Sequence, residues 1–260
     1  MIVIISFFIG CSSSSKTDTE TSLYGNISTI DEASGIGYCS KTDTLFVAAD
    51  NGILYEINKN GKILNQKNLS SLKNHDFEGI AYDEKNDEIV VAIEGSDNIL
   101  VLNTNLVTQR KVNLDREDNN GKIILEKDKE NGLEGIVVLN GDIYLSNQSF
   151  KRLPENDPSV VIKIDFTDLY SAYIGQIIDH GFLNISGLSV YKNYLYMVTD
   201  SDNLLIKYDL TAKKVITTYK IKDFDSKLKG IAVEGVTFDN NENIYFAADN
   251  DGRIYKFKFN

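Results

Sequence analysis

The sequence predicts an all-β protein, a five-bladed β-propeller closed by an N-terminal strand, on three observations. First, a serine or glutamate followed by a glycine and an apolar strand occurs five times in the 260 residues. Second, the motif glycines lie 44 to 56 residues apart, with hairpin signals and no helical periodicity between them, which is typical of propeller blades. They are Gly35, Gly79, Gly135, Gly187 and Gly235. Third, the last copy is one strand short, so another segment must complete it.

Each copy reads as four short strands. In the second copy these are GIAYD at 79–83, EIVVAIE at 88–94, ILVLN at 99–103 and RKVNL at 110–114. Polar turn residues separate runs of β-branched and aromatic residues, as expected for hairpins. The fifth copy ends after its third strand, IYKFKFN. We expect residues 23–30 to pair against 253–259, which makes 23–260 a single propeller domain.

The first residues, MIVIISFFIGCSSSSKTDTE, indicate export. Ten uncharged residues are too few for a transmembrane helix, but they fit the apolar part of a secretory signal. Residues 1–11 resemble a lipoprotein signal that ends at a lipidated Cys11, and 12–22 read as a flexible tether. Ser12 favours the periplasmic face of the outer membrane over the inner membrane. No Lys or Arg precedes the apolar run, and the alternative is a cytoplasmic protein with an apolar end.

The composition restricts the partners. The formal net charge is −11 and the pI about 4.7, so the surface repels nucleic acid and favours cations. Cys39, the other cysteine, lies in an apolar stretch and reads as a core residue rather than a catalytic thiol. The chain has only two histidines, which disfavours a zinc or copper site.

Propeller geometry brings two sets of polar residues to one end of the central channel. Glu78, Glu134 and Glu234 stand at the start of first strands, with Ser186 at an equivalent position. Further candidate ligands end second strands, which run antiparallel to the first: Asp50, Glu94, Asn147, Asp200 and Asp249. Two insertions, 114–132 and 150–160, attach to the same end. This end is therefore the predicted functional face.

Clustered carboxylates need neutralisation. Two of them ~6 Å apart repel by roughly 3 kcal/mol at an effective dielectric constant of 20. The repeat places no Lys or Arg beside the glutamates, so we expect a hard divalent cation with oxygen ligands, Ca²⁺. The alternative is structural: each glutamate accepts backbone N–H bonds and stabilises the ring. Turn chemistry alone also explains Asp50, Asp200 and Asp249.

The motifs ASGIGY, DFEGIAYD, LEGIVV, ISGLSV and VEGVTFDNNENIYFAAD resemble the SdiA-regulated (YjiK-like) proteins of bacteria. The similarity covers about residues 23–260. It implies a five-bladed propeller, often exported or membrane-anchored, with a calcium site at the channel. Carried over to this chain, that site draws on Glu78, Glu134 and Glu234. The resemblance implies no established enzymatic activity.

Two functions compete. The first is an exported, membrane-anchored calcium-binding propeller that binds an unknown ligand or protein at its channel mouth. The alternative is a calcium-dependent hydrolase of the lactonase or phosphoesterase type on the same rim. No Gly-x-Ser-x-Gly motif is present, no catalytic residue can be assigned, and we expect no Lys/Arg cluster on the rim to hold a phosphate. The sequence thus favours the binding function.

Overall fold

Strands make up most of the computed structural model, which describes residues 24–72, 76–127 and 132–259. The helical elements of these residues are three short 3-10 helices, Ile221–Asp223, Ser226–Leu228 and Asp249–Asp251. In the part described, no helix is long and apolar enough to cross a bilayer. The predicted signal segment 1–11, with Cys11, and the tether 12–22 lie outside the described residues.

Strand β1 is Gly25–Thr29, and the strands after it fall into five consecutive units. Unit 1 contains β2 Ala33–Cys39, β3 Thr44–Ala49, β4 Ile53–Asn58 and β5 Ile63–Asn68. Unit 2 contains β6 Phe77–Asp83, β7 Glu88–Ile93, β8 Asn98–Asn103 and β9 Thr108–Asp115. Unit 3 contains β10 Leu133–Leu139, β11 Asp142–Asn147, β12 Val160–Phe166 and β13 Ser171–Ile178. Unit 4 contains β14 Ile185–Tyr191, β15 Tyr194–Thr199, β16 Leu204–Asp209 and β17 Lys214–Lys220. Unit 5 contains β18 Gly235–Phe238, β19 Asn243–Ala248 and β20 Arg253–Lys258.

Within each unit the strands pair antiparallel in chain order. Units 2 and 3 form one eight-stranded sheet, because β9 and β13 pair in parallel with Asn113 opposite Ser171. In unit 5, β1 lies beside β20, with Gly25 opposite Lys256 and Thr29 opposite Arg253. This pairing confirms that the N-terminal strand completes the last repeat.

The first strands of the units contact one another in a closed cycle, β2 to β6, β10, β14, β18 and back to β2. The motif glycines permit this approach. A Cβ atom on Gly35 would lie 2.1 Å from the Glu78 carbonyl oxygen, and one on Gly187 equally close to that of Glu234. Any larger residue would push neighbouring units apart, which explains why glycine stands at this point of each repeat.

The core lies between the faces of neighbouring units. Side chains alternate along each strand, so each unit contributes apolar residues to the cluster on either side of it. Phe46 and Leu54 of unit 1, for example, pack with Ile89 and Leu102 of unit 2. Cys39 is fully buried in the same cluster, as its apolar context predicts.

Candidate metal centre at the channel mouth

Three glutamates of units 2 and 3 meet at one end of the channel, here called the mouth. Glu78 and Glu134 are the second residues of β6 and β10. Glu94 directly follows β7, which runs back beside β6 with Ile93 opposite Phe77. The start of a first strand and the end of a second strand therefore reach the same place, as the repeat predicts.

The carboxyl oxygens of Glu78, Glu94 and Glu134 lie within 4.8 Å of one another. A second group with the same spacing consists of Asp50, Asp76 and Glu78. Glu78 belongs to both groups, so the five carboxyl groups form one continuous acidic site. Oxygen ligands at this spacing suit a hard divalent cation.

Burial makes this acidic site unusual. Glu78 is 9% exposed and Glu134 is 6% exposed. Burial, and then the negative charge of Glu134, raises the pKa of Glu78 well above its ordinary value. Burial, and then the charge of Glu94, has the same effect on the pKa of Glu134. Among the described residues, no Lys or Arg nitrogen lies within 4 Å of these three carboxyl groups.

The predicted third ligand, Glu234, belongs to neither group of three, and its unit 5 neighbours units 1 and 4 in the cycle of first strands. Burial, and then the charges of Asp249 and Asp50, raises its pKa to about 8. Burial likewise raises the pKa of Asp50 to about 7, although Ser34 Oγ donates a hydrogen bond to its Oδ1 at 2.5 Å. Glu234 thus adds negative potential to the mouth from a distance.

The other predicted rim ligands differ in what their side chains contact. Ser186 is buried, and its Oγ donates to the carbonyl of Val233 at 3.2 Å. Asp200 Oδ2 accepts a hydrogen bond from Asn184 at 3.1 Å. For Asp249, burial raises the pKa.

Asn147 belongs to a buried cationic network that the sequence analysis missed. Arg116 donates two hydrogen bonds to Asp97, at 2.9 and 3.1 Å, and a third to Asn147 Oδ1 at 2.8 Å. The Asn147 amide donates to Asp157 Oδ1 at 2.8 Å. Lys127 Nζ lies 2.9 Å from Asp97 Oδ2. We call these five residues the arginine network.

The expectation of a rim without a Lys/Arg cluster was therefore wrong. Arg116 and Lys127 both come from the insertion 114–132, which has no counterpart in the other copies. A repeat predicts the positions only of residues that recur in several copies, so it could not predict where Arg116 and Lys127 lie. Although burial opposes the shift, hydrogen bonds from Arg116 and then Lys127 lower the pKa of Asp97 below its ordinary value.

Residues 13–258 match the profile of the SdiA-regulated family. The chain belongs to the SdiA-regulated family. No curated protein sequence matches it significantly. Among solved structures it is similar to the glutaminyl cyclase of Myxococcus xanthus, with a TM-score of 0.60 and 11% identity over 90% of this chain and 93% of that one. It is also similar to a luciferin-regenerating enzyme, with a TM-score of 0.52 and 14% identity over 91% and 76%.

A protein of unknown function from Bacteroides caccae has a TM-score of 0.52 and 10% identity, over 86% of this chain and 81% of that one. At such low identities these likenesses bear on the fold alone, and they support a β-propeller. The family match confirms the resemblance seen in the five motifs. In this SdiA-regulated protein, the mouth contains the chemically unusual groups: buried carboxyls with raised pKa values and only oxygen ligands.

Proposed function

We propose that this protein is a five-bladed β-propeller that binds one Ca²⁺ at its mouth and uses that rim to bind a ligand or partner. The observation that carries the proposal is the burial of Glu78 and Glu134 beside Glu94. Among the described residues, no Lys or Arg side chain lies close enough to neutralise them. Buried ionised groups are otherwise paired or bound to metals. The five units and the cyclic contacts of their first strands support the blade number.

Glu78, Glu134 and Glu94 are the proposed carboxylate ligands, since theirs is the more buried of the two groups of three. Glu94 thereby replaces Glu234 as the third ligand, and Glu234 acts through its charge. Three carboxylates fall short of the six to eight oxygens that Ca²⁺ takes, so backbone carbonyls or water would complete the shell. When bound, the ion would offer a Lewis-acidic position at the rim for an oxygen atom of a ligand.

The arginine network favours a binding function over a phosphoesterase. A phosphate site needs Arg or Lys donors that are free to bind oxygen anions. The guanidinium of Arg116 already donates to Asp97, Asn147 and the Glu126 carbonyl. Lys127 is paired with Asp97.

We also propose that the protein is exported and tethered to the envelope through lipid on Cys11, in the outer membrane rather than the inner one. The support is the sequence of residues 1–22. Cys11→Ala should move the protein from the membrane fraction to the soluble fraction. A wild-type protein found in the cytosol would contradict the proposal.

The calcium proposal is tested by calorimetry. Binding to the folded chain alone should raise the melting temperature, with about 2.7 kcal/mol of added stability at a calcium concentration 100 times the Kd. Glu134→Gln keeps the side-chain shape and removes one ligand charge, so its calcium affinity should fall at least tenfold. Glu155→Gln makes the same change on an exposed rim loop and should bind like the wild type.

Two results would count against the site. A wild-type melting temperature that does not respond to millimolar calcium excludes it. Equal losses of affinity in the two variants would mean that calcium responds only to the overall negative charge. The structural alternative gives a third pattern: no calcium effect, and a Glu134→Gln protein less stable than the wild type.

A further inference from the structure

A large cavity lies at the end of the channel opposite the mouth. Its volume is ≈ 850 Å³. It is formed by the last residues of the five first strands and by the turns that follow them. We call it the funnel. Its size falls within the ~300–1,000 Å³ typical of small-molecule sites.

The funnel has no open passage to the mouth. Between them, the motif glycines bring neighbouring backbones into contact, and the space among the first strands is only ≈ 10 Å³. A cavity needs about 10–15 Å³ to hold one water molecule. A ligand in the funnel therefore cannot reach a cation at the mouth, and the two ends are separate sites.

The funnel wall combines aromatic and aliphatic side chains from all five units. The residue three positions after each motif glycine lines it, and the five are Tyr38, Tyr82, Val138, Val190 and Phe238. Tyr191 of unit 4 also lines the funnel and stacks on Phe238, with ring centroids 4.7 Å apart. Tyr38 and Tyr82 are half-buried and belong to the neighbouring units 1 and 2, which gives a flat ring one side on which to stack.

The tyrosine hydroxyls at the funnel are already hydrogen bonded. Tyr38 Oη donates to Asp43 at 2.7 Å, and Tyr82 Oη donates to Asp87 at 3.0 Å. Both acceptors lie in the turns at the outer edge of the funnel. Hydrogen bonds thus fix the hydroxyl groups of both tyrosines, and the faces of their rings remain available to a ligand.

Most charged groups around the funnel edge are paired with one another. Lys192 lies 2.8 Å from Glu242, and Lys41 pairs with Asp87, so that ion pairs join the turns of neighbouring units. Ser40 Oγ donates to Glu84 at 3.0 Å.

The buried carboxyl of Asp83 accepts hydrogen bonds from its own turn, including the Lys85 amide. The side chain of Lys85 is exposed, and one exposed ammonium on a chain of net charge −11 does little to concentrate anions. Asp239 is a second buried carboxyl in the funnel lining, so the buried charges here repel a negatively charged ligand.

We propose that the funnel is a second binding site, for one small molecule that has an aromatic or similarly flat ring and carries no negative charge. The proposal is independent of calcium and concerns a different end of the channel. Ring stacking against Tyr38 and Tyr82 supplies the contact, and the buried carboxyls of Asp83 and Asp239 discriminate against anions. Loss of the calcium site would leave the funnel ligand bound as before.

Two fluorescent probes that share one ring system test the ligand class. Phenylnaphthylamine is uncharged, and anilinonaphthalene sulfonate adds one negative charge. The uncharged probe should bind at one site per chain, at least tenfold more tightly than the sulfonate and equally with calcium or chelator. The proposal fails if the uncharged probe does not saturate, if the sulfonate binds as well, or if chelator abolishes binding.

The location is tested by introducing tryptophan, since the chain contains none. Asn240→Trp places an indole at the funnel, and Phe150→Trp places one on an exposed loop at the mouth end. Energy transfer to bound phenylnaphthylamine should be stronger from Trp at position 240. Stronger transfer from position 150 would put the probe at the mouth and overturn the assignment.

A pair of tyrosine variants tests the wall. Tyr82→Ala removes a lining ring and should weaken probe binding about tenfold. Tyr170→Ala removes a ring that is 59% exposed and does not line the funnel, so it should bind the probe like the wild type. Melting temperatures above the assay temperature establish that both variants are folded. Equal probe affinity in the two variants would contradict stacking on Tyr82.

Discussion

Two groups of buried carboxyls lie at the same end of the channel, and they differ in whether cationic side chains neutralise them. In the arginine network, Asp97 receives two hydrogen bonds from Arg116 and an ion pair from Lys127. At the mouth, Glu78 and Glu134 have other carboxyls as their charged neighbours. The pKa of Asp97 is lowered, and the pKa values of the two glutamates are raised.

This difference shows that the fold can place Arg and Lys side chains beside a buried carboxylate at the rim. Among the described residues, it places none beside the glutamates of the mouth. An uncompensated buried charge costs several kcal/mol. A site that keeps such a cost is a candidate for function. The arginine network is thus the structural counterpart against which the mouth can be tested.

Removal of Arg116 should have the largest effect. Arg116→Met leaves Asp97 buried and incompletely paired, and should lower the free energy of unfolding by about 3–5 kcal/mol. At ~2–4 °C per kcal/mol for a domain of this size, the melting temperature should fall roughly 10 °C. Scanning calorimetry should show the same loss with calcium and with chelator. A variant that loses only its calcium response would show that the two groups are one site.

Arg253→Met is the control for this change. Arg253 is exposed and lies 3.5 Å from Asp251, and exposed ion pairs contribute little to stability because solvent screens them. Its melting temperature should therefore stay close to that of the wild type. A loss as large as that of Arg116→Met would mean that burial does not distinguish the two arginines.

The stability of the protein in chelator should fall as the pH rises from 5 to 8. Glu234 and Asp50, with pKa values of about 8 and about 7, hold protons in the folded chain that the unfolded chain has released. Their contribution is complete below the unfolded pKa values and is lost as the pH passes the folded ones. Over this range the two raised pKa values correspond to a loss of roughly 6 kcal/mol, and the partial exposure of both carboxyls to solvent reduces it to on the order of 3 kcal/mol.

Calcium should reverse this slope, because the ion binds deprotonated carboxylates. Asp97 contributes the opposite pH dependence of stability. Because its pKa is lowered, it stabilises the folded chain above about pH 4, and that contribution is lost in acid. Urea titrations at a series of pH values measure both effects. A profile in chelator that rises from pH 5 to 8 would contradict the raised pKa values at the mouth.

Removing one charge from each group should change stability in opposite directions. In chelator, Asp97→Asn should destabilise the protein by about 2 kcal/mol, because the hydrogen bonds from Arg116 lose their charged acceptor. Glu134→Gln should stabilise it by about 1 kcal/mol through reduced repulsion. Equilibrium unfolding in urea measures both. Two changes of the same sign would remove the distinction between the groups.

The smallest expected effect is a difference in calcium affinity between variants of Glu94 and Glu234. As a direct ligand, Glu94 changed to Gln should lower calcium affinity at least tenfold. Glu234→Gln removes a more distant charge, which solvent partly screens, and should lower affinity only about threefold. Isothermal titration calorimetry gives both constants. The reverse order would restore Glu234 as the third ligand.

Much of the fold could be predicted from the sequence because it repeats. The glycine motif, the hairpin turns and the short last copy were sufficient to predict an all-β chain and the pairing of β1 with β20. Strand ends were close as well: EIVVAIE at 88–94 corresponds to β7, Glu88–Ile93. The strand and turn pattern of each copy agrees with the cyclic arrangement of the units, which is why the fold could be predicted from the sequence.

The site was harder to predict, for two physical reasons. The repeat shows at which end of a strand a residue lies, and so it placed Glu78, Glu94 and Glu134 at one mouth. The sequence predicted Glu234 as a main ligand and Glu94 only as a possible one, although the order of the units contains a signal for the proposed choice of Glu94. Units 2 and 3 are neighbours, whereas unit 5 neighbours only units 1 and 4. Arg116 had no signal, because nothing in the repeat corresponds to its insertion.

The pairing of β1 with β20 has a consequence for how the protein is made. Thr29 and Arg253 pair across more than 200 residues of chain. On a ribosome, β1 emerges first and must wait, with an unpaired edge, until nearly the whole polypeptide has been synthesised. Contacts this distant in sequence form slowly, since the intervening chain must be ordered before they become favourable. Closure of unit 5 is therefore expected to be a late event in folding, and a nascent chain stalled before β20 would expose one edge of β1 and one of β19 to other strands.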